Sequence, residues 1–420
     1  MAERRVKSVT TTKSSKKKTV KKKTATPTKG KASPLSVRRA RRSATHSAGS
    51  KAQRGLAVTD STPQTIVGID LGDRYSQVHV LAAGSGATLE QSRIATTKEA
   101  FSARFGETPR ARIALETGTH SGWIARLLTE LGHEVLVAHA RKVRLITDND
   151  KKNDKLDAER LALLARADPR LLHPIRPRGD AAQTALVVLK ARDTLVRART
   201  GLINTVRGLV KSTGERLPKC SADAFHKRAE GALPAQLAGT LQPLVAQVAA
   251  LTATIKHYDD QVDDLAEHQF PESQLLSQVE GVGTLTAMAY LLTIEDPKLF
   301  ASGRKVAAYL GLCPREDVSC TIDKQLRITK AGNKLVRRLL VGSSQYILGP
   351  FAQDSDLRRW GLTLCERGGK NGKKRAVVAV ARKLAVLLRH LWLTGQVYDP
   401  LHIGAKLDAA KAAEVATAAG

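Results

Sequence analysis

Four carboxylates could do chemistry in this chain: Asp70, Glu116, Asp154 and Asp157. Asp70 closes the apolar run Ile66 to Ile69, and Glu116 closes the run Arg112 to Leu115. Both therefore read as acids at the C-terminal ends of buried strands, where open α/β sheets collect their chemistry. Asp154 and Asp157 stand three residues apart in KNDKLDAERLALLA, and on a helix that spacing puts both on one face. Converging carboxylates of this kind could hold two divalent ions. Such a pair activates a water or hydroxyl and stabilises the leaving oxygen of a phosphodiester. Mg²⁺ suits carboxylate and water ligands best, with Mn²⁺ as the alternative.

The elements that must position these acids can be read in order. Gln77 to Leu81 can return as the antiparallel neighbour of the first strand across a turn at Gly72. Gly118 to Leu131 has helical periodicity through Trp123, Ile124, Leu127 and Leu128, and Gly132 closes it. Glu134 to Ala138 is a further core strand, and Arg141 to Ala167 is charged at first and then strongly helical. Strands alternating with helices predict a mixed sheet with helices on its faces. His120, His133 and His139 lie near the acids in sequence and read as packed or surface residues rather than metal ligands.

The chain's 420 residues carry a formal net charge of +30 with only 4% aromatics. Such a charge repels itself unless a polyanion neutralises it. Residues 1–60 hold 18 Lys or Arg against Glu3 and Asp60 as the only acids. This segment lacks the apolar surface to repay ordering and is expected to be a disordered basic tail that grips phosphate backbones. It does not read as a secretory signal. The four cysteines, at 220, 313, 320 and 365, lack paired spacing, so neither a zinc site nor a disulfide framework is expected, which fits a reducing cytosol. Apolar stretches read as broken by charge before they reach membrane-spanning length, so no membrane is expected among the partners.

Residues 180–265 predict two long helices separated by a proline-containing region from Leu217 to Pro234. The pair could be an antiparallel hairpin or a dimerising coiled coil. Further on, Glu280-Gly281-Val282-Gly283 before an apolar helix resembles the hairpin of a helix-hairpin-helix, whose backbone N–H groups could seat a phosphate. Helix is expected from Lys305 to Leu312, then a polar irregular loop from Arg315 to Thr321, then helices from Lys334 to Ile347 and from Gly372 to Trp392. Gly281, Gly283, Arg327, Lys330, Lys334, Arg337, Arg338, Lys373 and Lys374 are the candidates for nucleic-acid binding. The tail from Gly404 is Ala-rich.

Read together, these pieces resemble the IS110-type transposases (the IS110/IS116/IS902 family, with the Piv-type DNA recombinases as relatives). The matching segments are VGIDLGDRYS, IALETGTHSGW, KNDKLDAERLALLA, LLSQVEGVGTLTA, RKVAAYLGLCPRE, RITKAGNKLVRRLL and KKRAVVAVARKLAVLLRHLW, in family order over about residues 64–398. The resemblance implies an α/β RNase H/RuvC-like domain, a long coiled-coil-like helical segment and a mainly α-helical C-terminal transposase domain. The boundaries expected are a tail over 1–62, the acidic domain over 63–180, the helical segment over 181–268, the transposase domain over 269–400 and a flexible tail over 401–420. The resemblance also assigns the Asp-Glu-Asp-Asp set to Asp70, Glu116, Asp154 and Asp157, and a nucleophilic serine to Ser319. Family members commonly carry Ser-Gly-Gly at that serine, whereas this chain has Ser319-Cys320-Thr321, with Leu326 where a Gly is frequent.

By this resemblance the chain is expected to be a DNA transposase of an insertion sequence, acting on double-stranded DNA in the cytoplasm beside the nucleoid. A homodimer or homotetramer and a structured noncoding RNA encoded by the element are the implied partners. Two rival classes share part of the pattern. A RuvC- or RNase H-like nuclease that uses water needs the acids but not Ser319, and a non-catalytic nucleic-acid-binding protein needs neither. A sugar-kinase or actin-like ATPase shares GIDLGD but should carry a second Asp-Gly phosphate loop, for which the chain has no convincing candidate.

Overall fold

Thr65–Asp70 (β1) is the centre of a five-stranded sheet among the described residues. A computed structural model describes residues 63–140, 143, 154–319 and 322–402 of the chain. The basic segment 1–62 and the tail 403–420 lie outside the described residues, as do residues 144–153.

The sheet runs β3-β2-β1-β4-β5, where β2 is Tyr75–Ala82, β3 Thr88–Ala95, β4 Arg112–Glu116 and β5 Glu134–Ala138. The first three strands form an antiparallel meander, and β4 and β5 run parallel to β1. Side chains alternate across each strand, so the two faces are set residue by residue. Val67, Ile69, Val78, Ile113 and Leu115 face the helices α1 (Lys98–Phe105) and α2 (Ser121–Glu130) through Phe101, Phe105, Ile124 and Leu128. Ile66, Leu81 and Ala114 face the opposite way, onto α3 (Asp154–Ala167), through Leu161, Ala162 and Ala165. Layers of helix on both faces of a mixed sheet are the arrangement that the alternation of elements predicts.

Two elements of this layer were not expected. β3 reads TLEQSRIA, with little apolar signal; it exists as an edge strand because β2 offers it a ladder. α1 is carried by Phe101 and Phe105 one turn apart and by Thr97, whose hydroxyl accepts the N–H of Ala100. His133 is packed: its Nδ1 accepts from the Ala111 N–H at 3.2 Å, and its Nε2 stands 3.0 Å from the Phe105 carbonyl.

Gly68 explains how α3 comes so close. A Cβ built at Gly68 would lie 1.9 Å from the Ala158 carbonyl oxygen and 2.6 Å from the Ala162 nitrogen. Both obstacles are backbone, so only glycine lets the helix seat there. Gly68→Ala is expected to cost about 3 kcal/mol or more, the upper range for overpacking a filled core. Urea unfolding of the two proteins checks this; a loss under about 1 kcal/mol would mean that α3 can back away freely.

Beyond the sheet, α4 (Asp180–Ser212) and α6 (Ala235–His268) pair along their lengths, with the short α5 (Phe225–Glu230) between them in sequence. Arg192 pairs with Asp259, and Arg199 reaches Asp223 and Thr252. Residue numbers rise on one helix as they fall on the other. The two helices therefore form an antiparallel pair within the chain. One end holds Ile203, Val206, Phe225, Leu241, Val245 and Val248 in a small core. The other end brings Ala185, Leu186, Leu189 and Val262 into the C-terminal core.

The expectation about apolar runs needs correction here. The stretch from Ala235 to Ile255 holds no charged residue, and its helix is long and apolar enough to cross a membrane by length and composition. Its apolar stripe is already used within the chain, where Leu241, Val245, Val248 and Ile255 are buried.

The C-terminal core is helical. It gathers α7 (Glu272–Ser277), α8 (Thr284–Ile294), α9 (Gly303–Tyr309), α10 (Lys334–Ile347), α11 (Asp356–Arg367) and α12 (Gly372–Thr394). Tyr290 lies fully buried at its centre, its hydroxyl donating to the Ala385 carbonyl at 2.7 Å. Burial pushes the phenol well above its ordinary pKa, so it stays a donor throughout the working pH range. Tyr290→Phe is expected to lower stability by about 1 kcal/mol through loss of that bond, read as a fall in thermal midpoint.

The expected irregular loop from Arg315 to Thr321 is instead the start of an antiparallel hairpin, β6 (Pro314–Ser319) with β7 (Ile322–Ile328). Polar, charged strand sequences give no hydrophobic alternation, and this is why the pattern read as a loop.

Candidate functional site

The register of the sheet places the first two acids side by side. Ile69 of β1 pairs with Leu115 of β4, and the next residues on these parallel strands are Asp70 and Glu116. Alternation puts both on the face that carries Gly68 and Ala114, the face covered by α3. On α3, Asp154 stands one helical turn before Ala158, the residue that meets Gly68, so it overhangs the end of β1. Asp70 and Asp154 line one open cleft of about 590 Å³ with Gly72, Arg74, Tyr75, Gln77 and Arg93. Asp157 is half-buried one residue before Ala158 and pairs with Arg160 at 3.3 Å.

Among the described residues, no three of His, Cys, Asp and Glu form a ready-made metal group. The arrangement still fits Mg²⁺, which binds through one or two carboxylates and keeps several waters. Asp70 and Asp154 open on the same cleft, and Glu116 follows in register.

The cleft also shows residues that the sequence reading missed. Arg74, Tyr75, Gln77 and Arg93 line it. Arg93 sits on β3, and without that strand there was no reason to bring it near Asp70. Across the mouth of the sheet, His120 lies 3.6 Å from Asp73 and accepts from the Trp123 indole N–H at 3.2 Å.

Ser319 is the last residue of β6, opposite Ile322 in the ladder, at the tip of the hairpin. Cys320 and Thr321, which join the strands, lie outside the described residues. The base of the hairpin is held firmly. Thr329 donates its N–H to Cys313 O and Lys330 to Gly311 O. Arg337 donates to the carbonyls of Leu310 and Ala331, at 3.1 and 2.6 Å. Gly311 and Gly332 both have positive φ, and a Cβ on either would strike backbone at about 2 Å (2.2 Å from Ala331 O, 2.0 Å from Tyr309 O).

The remaining candidates fall into two groups. Gly281 and Gly283 form the turn between α7 and α8 and line a cleft of about 550 Å³ with Arg338, Ser343 and Tyr346. Gly281 has φ of +81°, and Gly283 is the extended residue before α8, which has no side-chain cap. Arg327, Lys330, Lys334, Lys373 and Lys374 are exposed. Arg337 and Arg338 have internal partners: Arg337 pins the hairpin base, and Arg338 pairs with Asp193 of α4.

The acid layer and the helical core are tied at one junction. Arg126 of α2 donates to Arg178 O and to Asp180, at 3.0 and 2.9 Å. Next to these, the Gly179 N–H donates to Glu295 at the end of α8, at 2.8 Å.

Two transposase family models match the chain. Residues 67–214 match a transposase family model of the DEDD, IS110 type. Residues 273–349 match the model of transposases of the IS116/IS110/IS902 family. The y4pF/y4sB transposase named in Sinorhizobium fredii is 30% identical over 79% of this chain and 85% of its own length. The transposase for insertion sequence element IS1328 of Yersinia enterocolitica is 28% identical over 70% of this chain and 88% of its own. The pilin gene-inverting protein of Moraxella bovis is 30% identical over 32% of this chain and 44% of its own.

Proposed function

Because the chain belongs to the IS116/IS110/IS902 family of transposases, enzymes of phosphodiester transfer, we propose that it cuts and rejoins double-stranded DNA through Ser319, assisted by Asp70, Glu116, Asp154 and Asp157. The observation that carries this reading is the shared cleft of Asp70 and Asp154, with Glu116 following in register on the next strand. The strand order β3-β2-β1-β4-β5, with β2 antiparallel, supports reading the acidic layer as RNase H/RuvC-like.

In this reading the Ser319 oxygen attacks a backbone phosphorus. The Oγ–P bond forms, one P–O bond to a neighbouring sugar breaks, and the serine proton passes to the departing sugar oxygen. The phosphoseryl link conserves the bond energy, so a sugar hydroxyl of the receiving strand can attack it, close the new backbone and return Ser319. Mg²⁺ bound by the four acids would neutralise charge on the transferring phosphate and the leaving oxygen. The carboxylates' own part is to hold the cleft open to a strand and to keep its charge balanced by cation.

Cleavage requires Ser319 and the acids to meet, either with the hairpin of one copy set against the acids of another or within one copy. Joining two duplexes favours the first, as a homodimer or homotetramer. An element-encoded RNA would supply sequence choice by base pairing, in a chain whose charge is +30.

The test is to incubate the full chain with Mg²⁺ and a duplex carrying the element's own ends, then denature and look for protein-linked DNA. A covalent adduct that maps to Ser319 is the expected result, and cleavage without any adduct overturns the serine step. Nucleic acid that copurifies is sequenced in the same preparation; a discrete RNA species supports guidance, and only random fragments count against it.

A further inference from the structure

We propose that Tyr75 and Arg93 form a phosphate subsite beside the acid cleft, which grips the cut DNA strand a short way from the bond that breaks. The proposal rests on the acid cleft being the cutting site. Its basis is one row across the sheet. Asp70 of β1 pairs with Gln77 of β2, and Gln77 pairs with Arg93 of β3. Paired residues on adjacent strands share a face, so acid, amide and guanidinium stand in line. Two strand spacings of about 4.8 Å separate Asp70 from Arg93.

The chemistry of the pair suits a phosphate. The Arg93 guanidinium lies over the Tyr75 ring, 4.0 Å from its centroid. Tyr75 is 50% exposed and lines the same cleft as Asp70 and Asp154. Stacking orients the guanidinium plane by one face and leaves its N–H edges for an oxyanion. Arg93 forms no ion pair with any described residue. A second cleft of about 390 Å³ shares Gln77 and Arg93 and continues along β2 and β3 past Lys155. A groove that is acidic at the cut and basic on one flank admits a single backbone and gives it a direction.

The experiment is single-turnover strand cleavage by the full chain with Mg²⁺, on duplexes carrying one neutral methylphosphonate at successive positions from the cut. Wild type is expected to slow about tenfold when the neutral linkage falls at one position close to the cut, the loss of one charge-assisted contact. Arg93→Gln should be about tenfold slower on the natural duplex and should show no further loss at that one position. Arg93→Lys should recover part of the rate, and Tyr75→Ala should behave like Arg93→Gln. Arg93→Gln that cuts at the wild-type rate, or that is slowed at that position as much as wild type, overturns the subsite. Asp70→Asn serves as the separate control. If it cuts normally, the acid-cleft reading fails, while the Arg93 and methylphosphonate comparison still reports on the groove.

Discussion

Asp70→Asn is expected to lower DNA strand cleavage by on the order of 10³-fold or more while leaving the thermal midpoint within a few degrees of wild type. The amide keeps the shape of the side chain at the end of β1 and removes the charge. A divalent cation at a transferring phosphate supplies several kcal/mol of transition-state stabilisation, and each 1.4 kcal/mol is a factor of about ten in rate. Loss of one coordinating charge should therefore be felt mostly in turnover. Stability should change little, because Asp70 sits half-buried at the end of β1 and the amide fills the same space. Asp154→Asn should behave alike, since both residues open on the same cleft. Quench-flow or gel cleavage rates in Mg²⁺, set beside melting curves in EDTA, separate the two effects. Cleavage by Asp70→Asn within tenfold of wild type would remove this acid from the cutting site.

Ser319→Ala should abolish the protein–DNA adduct and lower strand cleavage by about 10⁴-fold or more, the scale seen when a covalent nucleophile is removed from a catalytic unit. Stability should barely change. Ser319 ends β6 at the tip of the hairpin, and the bonds that hold the hairpin belong to its base, at Cys313, Thr329 and Arg337. The informative contrast is with Asp70→Asn. Loss of both adduct and cleavage in both variants fits a serine that attacks and acids that stabilise. Cleavage that survives in Ser319→Ala and dies in Asp70→Asn would make the protein a nuclease that uses water at the acid cleft. The two variants mixed in one preparation add a further reading. Recovery of activity in the mixture is expected if one copy lends its hairpin to the acids of another, because hybrid assemblies then contain intact pairs.

Parts of this architecture were legible in the chain alone, for local physical reasons. Val67 to Ile69 is an apolar run that any core strand would show, and its end at Asp70 is a change of residue type. Lys334–Ile347 matches its expected bounds because Asn333 caps it, its side chain accepting from the N–H groups of Leu335 and Val336. The long helices follow from apolar residues at helical spacing, sustained over many turns. Family membership was legible for a different reason: seven short segments in fixed order are a specific pattern even where each is weak.

Other features were decided only by tertiary contact. TLEQSRIA becomes β3 because the free edge of β2 accepts it, and that pairing brings Arg93 into line with Asp70. PREDVS becomes β6 because Gly311, Gly332 and Arg337 clamp the base of a hairpin whose own side chains carry no apolar alternation. The pairing of the two long helices rests on contacts between residues far apart in sequence, the apolar cluster of Val206, Leu241, Val245 and Val248 together with ion pairs such as Arg192 with Asp259. Most of all, the meeting of Asp70 and Asp154 depends on Gly68 admitting the backbone of α3, a contact between residues 90 positions apart. The sequence by itself determined which residue types are present, the local periodicity that makes strands and helices, and the family to which the chain belongs. Tertiary structure decided which of those residues share a cleft, because edge pairing, close backbone approach and register are properties of two segments together and leave no mark in either one alone.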